Sequence, residues 1–266
     1  MIDPADPLLA AVLADPDSDE ARLALARALR ERGDAQGDFM ELQTKGAHEL
    51  RTYGATAEYR TMRLRARELE AKHAATWTSG VHHLATQPIL LRGLVEGVTV
   101  EANRFLAIAP ELYKLAPIRQ LILVDTGDAI ANIARSPLLD RLVSLIFYNR
   151  SRSAAIGDAG ARALASSAHV QRLKRLGLES NELTAAGIDT IAASKMLNSL
   201  IYVGLGGNRA PSPVESYGTD PMTGLIASSS GALDEAGRAL EAKYGDLAWL
   251  HAPTRLLNYP PDDADL

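Results

Sequence analysis

The sequence predicts an α/β fold: a short solenoid in which parallel strands alternate with helices, preceded by an α-helical N-terminal module. Three observations carry the prediction. Five short apolar cores share the spacing i, i+3, i+5, namely Val95/Val98/Val100, Ile118/Leu121/Leu123, Leu142/Leu145/Phe147, Leu173/Leu176/Leu178 and Leu200/Val203/Leu205. Gly160 and Gly187 lie 27 residues apart, as do Asn181 and Asn208. The segments between the cores carry apolar residues at helical spacing. A strand-turn-helix unit cannot bury its apolar face alone, so units repeated at a fixed period must stack and cover one another.

The intervals between successive cores are 23, 24, 31 and 27 residues. The long third interval holds Asn149-Arg150-Ser151-Arg152-Ser153, an insertion of about four residues relative to its neighbour. Helices are expected over 102–116, 128–136, 158–167 and 184–194, with Asp158 and Thr184 as helix-start residues. A further helix is expected over 233–244, where Ala236, Leu240 and Tyr244 share a face and Gly245 ends the run.

Ahead of the solenoid the pattern predicts helices at 6–14 and 19–32, divided by Asp15-Pro16-Asp17-Ser18 and closed by Gly33-Asp34. Two more follow at 37–45 and 57–73. In the last, Leu64 and Leu69 are expected to face inward, with Arg60, Arg63, Arg65 and Arg67 on a solvated face. The organisation predicted is a helical module at 1–80, the solenoid at 81–209, and a loop with a C-terminal cap at 210–266.

Leu8-Leu9-Ala10-Ala11-Val12-Leu13-Ala14-Asp15-Pro16-Asp17, then Glu20 to Ala26, Glu31-Arg32-Gly33-Asp34 and Gly37 to Gln43, resemble the bacterial repeat-companion domain. That helical module typically precedes leucine-rich repeats. The family's usual Ala-Asp-Trp run is replaced here by Ala26-Arg27-Ala28. The frame Leu173, Leu176, Leu178, Asn181, Leu183, with Gly157-Asp158-Ala159-Gly160-Ala161, resembles bacterial leucine-rich repeats of the ribonuclease-inhibitor type. The resemblance implies a binding or scaffolding role and supplies no catalytic residue.

Composition fits an intracellular chain with a large aliphatic core. Hydrophobic residues make up 47% and aromatics 5%, so the filling is mostly Leu, Ala, Val and Ile. The chain has no cysteine, which removes disulfides and thiolate chemistry and suits a reducing, cytoplasmic location. The acidic opening residues do not form a signal peptide, and no apolar run reaches the ~18 residues of a membrane span. With 28 basic and 33 acidic residues, a net charge of −5, neither nucleic acid nor membrane is the expected partner.

No motif assembles a catalytic, metal or cofactor site. Asp15, Asp17 and Asp19 imitate a calcium loop, but Glu20 stands where glycine is needed and Ala26 where a bidentate Glu belongs. Gly204-Leu205-Gly206-Gly207 lacks the Gly-Lys-Ser/Thr of a phosphate loop. His82 and His83 are adjacent and point different ways. Ser228, Ser229 and Ser230 lack the frame of a nucleophile elbow. The enzymatic alternative is a small hydrolase or regulatory enzyme with its site in the 210–231 loop, a connection longer than ordinary ones.

The informative chemistry lies on the strand positions that alternate with the core. Gly97/Thr99/Glu101, Gln120/Ile122/Val124, Ser144/Ile146/Tyr148, Arg175/Gly177/Glu179 and Tyr202/Gly204/Gly206 point outward, in columns about 4.8 Å apart. Ile122, Val124, Ile146, Tyr148 and Tyr202 form an apolar patch with Arg175 and Glu179 at its rim. Such a patch marks an interaction site for another protein. The alternative occupant is the chain's own C-terminal region, which offers Trp249, Leu250, Leu256, Leu257 and Tyr259 beyond the 211–231 linker.

Overall fold

The computed structural model describes residues 2–211, 213 and 233–251. Within them the chain forms two compact units. One holds the chain up to Val98 together with Pro110–Ile118; the other holds Thr99–Ala109 and the chain from Arg119 onward.

The first unit opens with helices α1 (Pro7–Ala14), α2 (Asp19–Glu31), α3 (Ala35–Tyr53) and α4 (Ala57–Thr78). Each begins at a short polar residue whose side chain accepts a free N–H of the first turn: Asp6 from Leu8, Ser18 from Ala21, Asp34 from Gln36 and Thr56 from Tyr59. Gly33 and Gly54 take positive φ after α2 and α3, the left-handed conformation that stops a helix. Leu9, Val12, Leu25, Ala26, Leu29 and Met40 close into one cluster with Leu94, and Phe39 stacks on Trp77 at 4.8 Å.

Two expectations shift here. Helix α3 runs past 45, because Phe39, Met40, Thr44 and Ala47 continue one buried face. Leu64 is 64% exposed: the buried stripe of α4 passes through Tyr59, Ala66 and Trp77, and at 100° per residue position 64 falls off it.

Strand β1 (Thr86–Leu91) was not anticipated. It joins β2 (Leu94–Glu101) through Arg92 and Gly93, both at positive φ (45° and 86°). That two-residue turn is the mirror type that returns the chain antiparallel. The α3 side chains hold its tip: Gly93 N donates to Gln43 Oε1 at 2.7 Å and Gln36 Nε2 donates to Gly93 O at 3.0 Å. A Cβ at Gly93 would strike Met40 Cβ at 2.3 Å, so the close approach requires glycine.

Beneath the turn Glu96 accepts from Arg22 (Nη2–Oε1 2.7 Å) and from Arg92 (Nη2–Oε2 3.0 Å). Both arginines also donate to Pro16 O, at 2.9 and 3.1 Å. All three side chains are buried, an arrangement tolerable only with every charge paired.

The six strands described here lie in one sheet in chain order. In the second unit β3 (Gln120–Val124), β4 (Ser144–Tyr148), β5 (Arg175–Gly177) and β6 (Tyr202–Gly204) pair parallel, with Leu121, Leu145, Leu176 and Val203 in one register line. All four are buried, and each contributes about 1.5–3 kcal/mol by leaving water. The helices are α5 (Ala102–Leu115), α6 (Ile130–Ile133), α7 (Gly157–Ala165) and α8 (Ala185–Ala192). The five expected strands are all present, each a little narrower or wider than its apolar core.

Two columns of polar side chains tie neighbouring strand and helix ends. At the strand ends Asn208 Oδ1 accepts from Asn181 N and Leu183 N (2.9 and 3.0 Å), and its Nδ2 donates to Leu178 O and Leu205 O. Asn181 does the same one step earlier: Nδ2 donates to Phe147 O and Glu179 O, and Oδ1 accepts from Asn149 Nδ2 at 2.7 Å. These amides satisfy loop groups that the next repeat covers. At the helix ends Ser167 Oγ donates to Ala134 O and Ser194 Oγ to Ala165 O. Ser136, Ser167 and Ser194 recur at 31 and 27 residues, matching the last two core intervals.

Thr184 caps α8 as expected. Asp158 does not cap its own helix, which starts behind Ile156 with no side-chain cap. Its carboxylate reaches the start of α8 instead and accepts from Thr184 N (2.9 Å) and Thr184 Oγ1 (2.6 Å). Gly187 makes the room, since a Cβ there would lie 2.2 Å from Asp158 Oδ1.

Helix α9 (Glu235–Tyr244) packs against α8, and the 3₁₀ turn Ala248–Leu250 packs against β6, with Trp249 and Leu250 buried. Leu256, Leu257, Tyr259 and residues 214–232 of the linker lie outside the described residues.

Candidate interaction surface

Parallel register places the outward side chains in three columns. Gln120, Ser144, Arg175 and Tyr202 form the first, and Ile122, Ile146, Gly177 and Gly204 the second. Val124 and Tyr148 begin the third. Exposure grows along the strands: the first column is buried apart from half-buried Tyr202, Ile122 and Ile146 are half-buried, and Tyr148 is 58% exposed.

Two members of the expected patch sit differently. Val124 is only 7% exposed; its small side chain stands in register beside the much larger Tyr148. Arg175, expected at the rim, is also 7% exposed, because it is the first residue of its strand and lies between Ser144 and Tyr202. What remains at the surface is half-buried Ile122, Ile146 and Tyr202 with exposed Tyr148 and Glu179.

Glu179 and Tyr202 are linked. Tyr202 Oη donates to Glu179 Oε1 at 3.0 Å. Burial raises the Tyr202 pKa, and the Glu179 carboxylate raises it further against the opposing pull of Arg175, so the hydroxyl keeps its proton and remains a donor. The carboxylate lies over bare backbone, where a Cβ at Gly204 would meet Oε1 at 1.9 Å. Gly177 and Gly204 stand side by side in their column, as alternation predicts, and leave the room that the carboxylate fills. The signal was present, since these glycines are themselves 27 residues apart.

An ionic rim follows the strand ends. Asp125 accepts from Arg150 N (2.8 Å) and Arg150 Nε (2.7 Å), and Arg150 Nη2 meets Glu101 at 2.7 Å. The Arg150 amide and then its guanidinium hold the Asp125 carboxyl below its usual value. Glu182 pairs with Arg209 at 2.6 Å and with Arg152 at 3.6 Å. The insertion at 149–153 thus supplies Asn149 to the amide column and Arg150 and Arg152 to this rim.

Other residues considered for chemistry have structural partners. Asp19 pairs with Arg51 at 3.0 Å, His82 is hydrogen-bonded to Thr78 and His83 to Glu111. Gly207 turns the chain at φ 71° just before Asn208 enters its column. No described helix is long and apolar enough to cross a membrane. Comparison with family models, curated proteins and solved structures gives no match for this chain.

Proposed function

We propose that the chain is a cytoplasmic, non-enzymatic leucine-rich-repeat module, fronted by a repeat-companion-like helical domain, that binds another protein through the outward face of β3–β6. The observation that supports this reading most directly is Tyr148, 58% exposed beside half-buried Ile146 and Ile122 on a rigid parallel ladder. An aromatic side chain presented in this way resembles the anchors on which binding energy concentrates. The fixed strands beneath it mean that little order is lost on contact.

Ile146→Asp is the test. An outward residue accepts charge at small cost to the fold, whereas a dry interface does not. Complex formation, followed by co-purification from the native cell, is expected to disappear while circular dichroism and melting temperature stay unchanged. Retention of the complex by a folded Ile146→Asp protein would overturn the assignment of this face.

A further inference from the structure

Glu179 stands two residues past the end of β5, and its side chain folds back onto the glycine floor. Oε1 lies where the Cβ of any residue at 204 would be, and Oε2 is 3.1 Å from the corresponding point at Gly177. Tyr202 holds Oε1, and among the described residues no hydrogen-bond donor reaches Oε2. Continuing the register two residues beyond Ile146↔Gly177 sets Tyr148 beside Glu179, one strand spacing of about 4.8 Å away.

A carboxylate with one oxygen pinned and the other open is an acceptor that needs no reordering when a donor arrives. Ile146 shares the Gly177 floor with it, and exposed Tyr148 stands in the next position along the same neighbouring strand face. The three together match one side chain: a guanidinium that makes a charge-assisted hydrogen bond to Oε2, lays its plane on the ring and rests its methylene stem on the isoleucine. Arg175 lies four residues earlier in the chain, buried, and in register with Ser144 and Tyr202.

We propose that Glu179 and Tyr148 seat an arginine side chain of the partner, so that the ligand of this face is a segment with arginine next to an aliphatic residue. This rests on the reading of the face as an interaction surface. Gly177 and Gly204 are then specificity-determining positions, because they give the carboxylate its seat.

Random peptides displayed on phage and selected on the full chain supply the probe. Selected peptides are expected to share an arginine, and replacing it with citrulline should weaken binding about tenfold, the loss of one charge-assisted contact. Glu179→Gln should weaken the arginine peptide to a similar extent and leave the citrulline peptide unaffected. Gly204→Ala keeps the charge but denies the carboxylate its position, so it should weaken binding too. If that variant melts lower, the nearly isosteric Glu179→Gln decides alone.

Selected peptides without a basic residue, or arginine peptides indifferent to Glu179→Gln, would overturn the arginine seat. If Ile146→Asp still abolishes their binding, the face itself stands. Peptides indifferent to both substitutions, or failure to select any, count against the face and the seat together.

Discussion

Single side chains in this molecule act between neighbouring strands and loops. Asn181 joins β4 and Asn149 in the loop after it to the loop after β5, and through its backbone N–H reaches Asn208. Asn181→Leu leaves buried loop groups without partners and is expected to lower stability by about 1–3 kcal/mol, read from urea unfolding. An unchanged midpoint and slope would show that those groups find other partners. The two asparagines were legible because they recur at the repeat period and must face the loop they follow. Asp158 was legible in part: it stands in the first turn of α7 as expected. Helix-start chemistry is local, while its carboxylate is claimed by Thr184, a partner 26 residues away that no local rule can see.

Among the elements, the helices were legible because each signals its own start, and the parallel strands because their apolar spacing repeats. The β1–β2 hairpin lacks such a signal. Its turn is Arg92-Gly93 rather than an asparagine-glycine pair, and its position depends on α2 and α3 through Arg22, Gln36 and Gln43. Glu96→Gln keeps the shape but leaves two buried arginines short of a counter-charge, and a loss of about 3–5 kcal/mol is expected from denaturant unfolding. Stability close to wild type would mean that the Pro16 carbonyl, which both guanidinium groups reach, suffices with Asp19, which lies 3.8 Å from Arg92. The start of α1 is linked to acid. The Leu8 N–H, and then Arg32, hold the Asp6 carboxyl below its ordinary value. A depressed folded pKa contributes stability that is full above the unfolded value near ~3.9 and is lost as pH falls through the folded one. Asp6→Asn can still cap the helix, so its stability deficit is expected to be largest near pH 6 and to close towards pH 2. A deficit independent of pH would remove the electrostatic account.

For the whole molecule, the period made the stack legible, and alternation made the outward columns legible. Exposure along those columns was not, because Val124 and Arg175 differ from Tyr148 in what stands beside them rather than in which way they point. Among the described residues β6 ends the sheet, and Leu200, Val203 and Leu205 around it are buried, so they need cover. Truncation before Leu233 removes α9 and the turn carrying Trp249 and Leu250. It is expected to cost about 1.5–3 kcal/mol for each large side chain lost or uncovered and to promote aggregation, followed by light scattering and thermal melting. A truncated chain that stays monomeric with an unaltered melting temperature would refute the capping role.

The paired asparagine and serine columns also bear on how the chain can change length. A copy of residues 173–199 inserted after itself brings a strand, its Asn181 amide, Thr184, Gly187 and its Ser194 hydroxyl at the same 27-residue step. Each inserted amide and hydroxyl then faces backbone groups equivalent to those its original meets now. Two links are missing from the copy: the one from Asp158 to Thr184, because Ala185 occupies the equivalent position, and the one from Asn149 to Asn181, because residues 173–180 hold no asparagine. The 27-residue segment therefore carries within itself most of the contacts that would join it to a second copy.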